Sequence, residues 1–237
     1  MLEPRTRDGL VRAGLLALLL AVGVVSFDRA VRGRFDFHHF YIDARYVWEH
    51  GALNPEIAQP ATDETRNLPF YLPVVPLALS PLTAGGRLPA ALVWSVAQVL
   101  ALGYSLSALA RWARGSDEHA AIRWQLFARK AGNLPLAFIV AVVLALPAIY
   151  EAARFNQLSF FVLALVLAGL SALDRERPRI SGVLFGIAAV LKLLPGIFLL
   201  WLLLKRRWWA AVACAATIAT LALVPPALVF GTQRALE

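Results

Sequence analysis

Two carboxylates and an imidazole fall at helical spacing in Phe35-Asp36-Phe37-His38-His39-Phe40-Tyr41-Ile42-Asp43. Residues Phe35 to His50 can form one helix, with Gly51 as its stop. On that helix Asp36, His39 and Asp43 stand at i, i+3 and i+7 and share a face. A carboxylate at a water boundary is ionised at neutral pH and can take a proton from a hydroxyl nucleophile. Two oxygens and an imidazole could also hold a divalent metal, but the spacing is too common to specify one. Taken one at a time, the same residues fit a plainer description, in which they cap and solvate the exit of an apolar span.

Lys192 is the second candidate. A charged side chain deep in an apolar segment costs about 2.5–3.5 kcal/mol on insertion scales and is usually justified by a partner or a polar cavity. It can serve as a compact point charge for a lipid phosphate, or simply reach for water from a hairpin tip. Asn156 and Gln157 open another apolar block. Asn156 is expected to cap the following helix, which leaves Gln157 on the first turn to hydrogen-bond sugar hydroxyls. Tyr71, beside Pro73 and Pro76, is either part of a stiff apolar wall for a lipid chain or an interfacial anchor. His38 lies on the face opposite His39 and is expected to be structural.

The segments that must position these residues are mostly hydrophobic. Apolar residues make up 59% of the chain and charged residues 16%, against roughly half and a quarter in a soluble domain. The apolar residues fall in long blocks, which predicts an all-α polytopic membrane protein. The net charge of +8 resides in short Lys/Arg clusters between these blocks, where it sets orientation and does not indicate a nucleic-acid partner. The lone Cys214 has no internal disulfide partner. Arg5, Arg7 and Arg12 precede the first block with no cleavage site after it, so the N-terminus is expected in the cytoplasm of an inner or plasma membrane.

Spans are expected at about 11–27, 88–110, 134–150, 158–173 and 208–230, with a re-entrant helical hairpin at 181–204. Both ends of that hairpin are basic and its tip falls at Lys192-Leu193-Leu194-Pro195-Gly196. Residues 28–87 form an extracytoplasmic loop, with 70–82 as an interfacial segment because its three prolines and the positive-inside rule exclude a crossing. The whole of 1–237 reads as a single transmembrane domain. This topology brings Asp36, His39, Asp43, Tyr71, Gln157 and Lys192 to one depth near the outer surface. The sequence holds neither a Walker loop nor a GxGxxG, GxSxG or HExxH motif. A lipid-tethered sugar donor would suit such a site better than a nucleotide sugar.

The order of features resembles the GT-C type of polytopic glycosyltransferase, and most closely glycosyltransferase family 87, the polyprenyl-phosphate-mannose-dependent mannosyltransferase group. The matching pieces are Asp36-Phe37 with Tyr41-Ile42-Asp43-Ala44, then Phe70-Tyr71-Leu72-Pro73, and then Gln157. The longest runs from Ser181-Gly182-Val183-Leu184-Phe185-Gly186 through Lys192-Leu193-Leu194-Pro195 to Lys205-Arg206-Arg207-Trp208. The resemblance implies a GT-C-like helical bundle with Asp36 as general base, Lys192 on the donor phosphate, Gln157 on sugar or phosphate, and Asp43 as a supporting carboxylate. It further implies inverting transfer of a hexose, mannose by the family pattern, from a polyprenyl-phosphate sugar to a glycolipid or glycan acceptor, with membrane lipids around it. No cofactor is expected. Two positions depart from the pattern: Ser159 stands where an Asn is common, and Leu72 replaces a proline. Family members are longer, so this chain is expected to be the N-terminal part of a larger protein. Two other functions fit the same residues, a flippase for a polyprenyl-linked glycan and a non-catalytic membrane partner.

Overall fold

The computed structural model describes residues 4–52, 72–114 and 134–230. Among the described residues every regular element is helical: α1 Pro4–Val31, α2 Phe35–His50, α3 Val74–Leu79, α4 Arg87–Ala113, α5 Leu136–Arg154, α6 Ser159–Asp174, α7 Pro178–Leu191, α8 Ile197–Leu204 and α9 Trp208–Phe230. Short 3-10 turns at Ser80–Thr83 and Leu194–Gly196 precede α4 and α8. Among the described residues four helices are long and apolar enough to cross a membrane: Gly9–Val31 of α1, α4, α5, and Trp208–Val229 of α9. Their outward faces carry Leu20, Leu144 and Leu228, each at least 70% exposed. Apolar surface of that extent is stable in lipid and not in water. The protein is therefore an all-α polytopic membrane protein.

Three apolar clusters hold the helices together. In the first, Leu15, Leu19 and Val22 of α1 pack on Leu102 and Leu106 of α4, with Phe138 and Ala153 of α5 and Phe160 of α6. In the second, Phe37 and Phe40 of α2 rest on Trp94 of α4 at ring separations of 5.5 and 5.6 Å. Val75 of α3 and Leu158 complete that layer, so α2 lies across one end of the α1–α4–α6 group. The short α3, about 9 Å long at six residues, packs on α2. Tyr71 lies outside the described residues.

The third cluster joins α7, α8 and α9 through Phe185, Leu202, Ala210 and Cys214, all at most 2% exposed. Gly182 and Gly186, one helical turn apart, let α9 approach α7 closely, as small residues do in membrane helix pairs. A Cβ on Gly182 would meet the Ala210 carbonyl, and one on Gly186 would come within 2.7 Å of Thr217 Cβ. This pairing explains physically why the Ser181–Gly186 stretch reads as a motif. Beyond Leu191 the chain leaves the helix, with Lys192 extended at φ −150° and ψ 130°. It turns through Pro195 and returns as α8, whose Phe198 stacks on Phe185 at 4.6 Å.

Candidate functional site

The site is built at the turn between α5 and α6. The Phe155 N–H donates to Glu151 O, the Asn156 N–H to Ala153 O, and the Gln157 N–H to Ala152 O, at 2.9, 3.2 and 3.0 Å. Asn156 sits in the left-handed region at φ 55°. This is a Schellman closure with Asn in the position that glycine usually takes. Asn156 thus ends α5; it does not cap α6, whose N-cap residue is Leu158. The expectation of N-capping is corrected, and the reason is backbone geometry: the left-handed turn points the amide inward.

That inward amide is fully buried. Its Nδ2 donates to the Ser26 carbonyl of α1 at 3.1 Å, and its Oδ1 accepts from Gln98 Nε2 of α4 at 3.1 Å. The Ser26 hydroxyl donates to Ala153 O at 3.4 Å. Two helices, α1 and α4, are therefore fastened to the turn by polar contacts inside an apolar bundle, where such groups have few alternatives.

The next residues face outward to a half-buried hydrogen-bonded chain. Lys192 Nζ donates to Ser159 Oγ at 3.0 Å, and Ser159 Oγ donates to Gln157 Oε1 at 2.9 Å. The structure thus joins Lys192 and Gln157, which are far apart in sequence, through Ser159. Sequence reasoning recorded Ser159 only as a departure from a pattern, because a hydroxyl two residues from a glutamine carries no signal without its third partner. Lys192 also stands at the C-terminal end of α7, where the helix dipole favours a cation.

Asp36 reaches the same turn through its backbone. Its N–H donates to Phe155 O at 3.1 Å, and the rings of Phe35 and Phe155 meet edge to face at 4.7 Å. The entry into α2 is tight: Gly33 and Phe35 both have positive φ, 65° and 62°. A Cβ at Gly33 would come within 2.5 Å of Arg87 Nη1. Arg87 Nη2 lies 2.7 Å from His38 Nδ1, and its guanidinium stacks 5.1 Å over the Tyr41 ring. Burial, with Arg87 and His39 nearby, lowers the His38 pKa below its ordinary 6.5, so the neutral ring accepts from Arg87. Arg87 was not singled out by sequence reasoning, since a basic residue before a span usually only marks orientation.

The remaining candidates are placed differently. His39 is exposed, and its ring lies 5.8 Å from that of His38. Asp43 is half-buried seven residues along α2 from Asp36, a distance of about 10 Å. Among the described residues no group of three His, Cys, Asp or Glu side chains could hold a metal ion, so the metal arrangement weighed for Asp36, His39 and Asp43 does not form there.

An apolar groove of about 500 Å³ between α4 and α6 adjoins the residues of this hydrogen-bonded chain. Leu158 and Leu191, neighbours in sequence of Gln157, Ser159 and Lys192, line it together with Trp94, Phe161, Ala168 and Tyr104. From Leu158 to Ala168 along α6 is about 15 Å. Trp94 Nε1 is buried and has no hydrogen-bond partner among the described residues.

Residues 67–236 match the sequence model described as Glycosyltransferase family 87. The chain belongs to that family, and its fold is that of a membrane protein. It is also 27% identical over 186 residues to the polyprenol-phosphate-mannose-dependent alpha-(1-2)-phosphatidylinositol mannoside mannosyltransferase of Mycolicibacterium smegmatis. That alignment covers 78% of this chain and 39% of the relative. The family match includes Gln157, Ser159 and Lys192, whereas Asp36, His39 and Asp43 precede it. No solved structure matches the chain.

Proposed function

We propose that this chain carries the donor site of a membrane glycosyltransferase that moves a hexose from a polyprenyl phosphate to a glycolipid or glycan acceptor. The observation that carries the reading is an apolar groove that begins beside a half-buried lysine. A prenyl chain is an apolar ribbon that ends in an anion. The groove between α4 and α6 suits the ribbon, and Lys192, held by Ser159, suits the phosphate. The relative's name supports mannose as the sugar and a lipid glycoside as the acceptor.

In this reading Asp36 is the general base. Its carboxylate takes the proton from the acceptor hydroxyl, whose oxygen attacks the anomeric carbon. The bond from that carbon to the phosphate oxygen breaks, the configuration inverts, and polyprenyl phosphate leaves. Lys192 balances the charge that builds on the leaving phosphate. The Gln157 amide orients sugar or phosphate oxygens. Support for Asp36 comes from its tie to Phe155, two residues from Gln157, and from the family pattern. His39, Asp43 and Tyr71 are proposed as outer contacts to the acceptor or the lipid. The site is read on the extracytoplasmic side of the cell membrane, with the N-terminus in the cytoplasm, because Arg111, Arg114, Arg175, Arg177, Arg179, Lys205, Arg206 and Arg207 at the opposite helix ends outnumber Arg29, Arg32, Arg34, Arg87 and Arg154 at the site's end.

The test is sugar transfer by the purified full-length protein in detergent, with labelled polyprenyl-phosphate mannose. Wild type should transfer, while Asp36→Asn should insert and fold but lose transfer. Transfer retained in Asp36→Asn would remove Asp36 as the base. Absence of transfer by wild type, with lipid movement in vesicles, would favour a flippase.

A further inference from the structure

At the end of the bundle away from Lys192, two helix-start segments meet. The chain between α6 and α7 brings Arg175 and Arg177, the first turn of α7 brings Arg179, and the chain between α8 and α9 brings Lys205, Arg206 and Arg207. They adjoin because Gly182 and Gly186 seat α7 directly on α9, with both helices running the same way. Six cations against Asp174 and Glu176 make a strongly positive surface. Among the described residues no carboxylate lies within ion-pair distance of Arg177, Arg179, Lys205, Arg206 or Arg207.

This surface has a shaped recess as well as charge. A pocket of about 220 Å³ is lined by Arg177, Pro178, Arg179, Ile180 and Trp209. The Arg179 guanidinium stands 5.1 Å over the Trp209 ring, which holds the cation in place while leaving its N–H groups for an anion. Trp208 and Trp209 are 60% and 64% exposed, as expected at the level of lipid headgroups. Ile180 and Val183, 49% and 40% exposed, continue from the pocket toward the middle of α7. Orientation needs only the number of positive charges, and does not need a guanidinium stacked over an indole beside an apolar strip.

We propose that this pocket binds the phosphate headgroup of an anionic membrane lipid, with the acyl chains along the Ile180–Val183 face of α7. Arg177 and Arg179 contact the phosphate, Trp209 fixes Arg179 and lies beside the glycerol region, and Lys205, Arg206 and Arg207 raise the local anion concentration. The site is separate from the donor groove and does not depend on the transfer reading. The lipid would clamp the α7–α9 pair, the unit that presents Lys192.

The test is lipid retention by the purified full-length protein. Native mass spectrometry in detergent, with phosphatidylglycerol or phosphatidylcholine added at equal concentration, measures the bound fraction. Wild type should retain phosphatidylglycerol over phosphatidylcholine, and Arg177→Gln with Arg179→Gln should weaken that retention by at least about tenfold. Trp209→Leu, which keeps every charge, should weaken it by a smaller factor and provides the reading if the double variant does not fold. Equal retention of the two lipids by wild type would overturn the proposal. So would unchanged retention in both variants. Displacement of the lipid by millimolar inorganic phosphate would overturn it in favour of a free anion.

Discussion

Replacing Asn156 with Ala tests the central fastening of the site. The substitution removes two hydrogen bonds, to Ser26 O and from Gln98 Nε2. Interhelical bonds of this kind average about 0.6 kcal/mol each in membrane bundles. Leaving the buried Gln98 amide without its acceptor adds about 1–3 kcal/mol. Alanine at φ 55° adds about 1 kcal/mol that asparagine tolerates better. Asn156→Ala should therefore lose about 3–5 kcal/mol, and Asn156→Gly about 1 kcal/mol less, because glycine accepts the left-handed turn. Adding Gln98→Leu to Asn156→Ala should recover part of the loss, because the orphaned amide is gone. The measurement is reversible unfolding in mixed micelles, followed by far-ultraviolet circular dichroism. A loss under about 0.5 kcal/mol for Asn156→Ala, or a glycine variant no more stable than the alanine one, would refute this account of the turn.

Other variants probe neighbouring features. Gly182→Leu should push α9 off α7 and destabilise the fold by about 1–3 kcal/mol, read by the same unfolding assay. Ser159→Ala should reduce kcat/KM for a polyprenyl-phosphate sugar by about tenfold or more, since it removes the hydrogen bond that holds Lys192; Ser159→Asn should restore part of it. His38 has a folded pKa below its unfolded 6.5, so the unfolded chain binds more protons through that window. The His38 contribution is fully present above the unfolded pKa and is lost as pH falls toward the folded one. Melting temperature should therefore fall between about pH 7 and about pH 5, and His38→Gln should flatten that dependence.

The membrane character and the family resemblance were legible because both are written in local order. Blocks such as Leu136–Arg154 are apolar throughout, and Gly51 with φ 60° ends α2 where a glycine stop belongs. The Gly182–Gly186 spacing and the Lys192–Pro195 break are likewise features of neighbouring residues. The fastenings were not legible. Asn156 looks the same whether it begins one helix or ends another, and only its backbone conformation decides. Ser26 and Gln98 meet it across 130 and 58 residues, and His38 meets Arg87 across 49. Polar residues inside spans announce that a partner is needed, but their linear order does not say which one.

Lys192 and Gln157 ride on different parts of the molecule. Gln157 belongs to the turn bolted to α1 and α4, whereas Lys192 ends α7, whose extensive contacts are with α6 and α9. Any molecule that grips both residues at once acts as a staple across the seam between these two groups of helices. Occupancy and rigidity are thereby linked, because among the described residues the Ser159 hydroxyl alone bridges these two side chains.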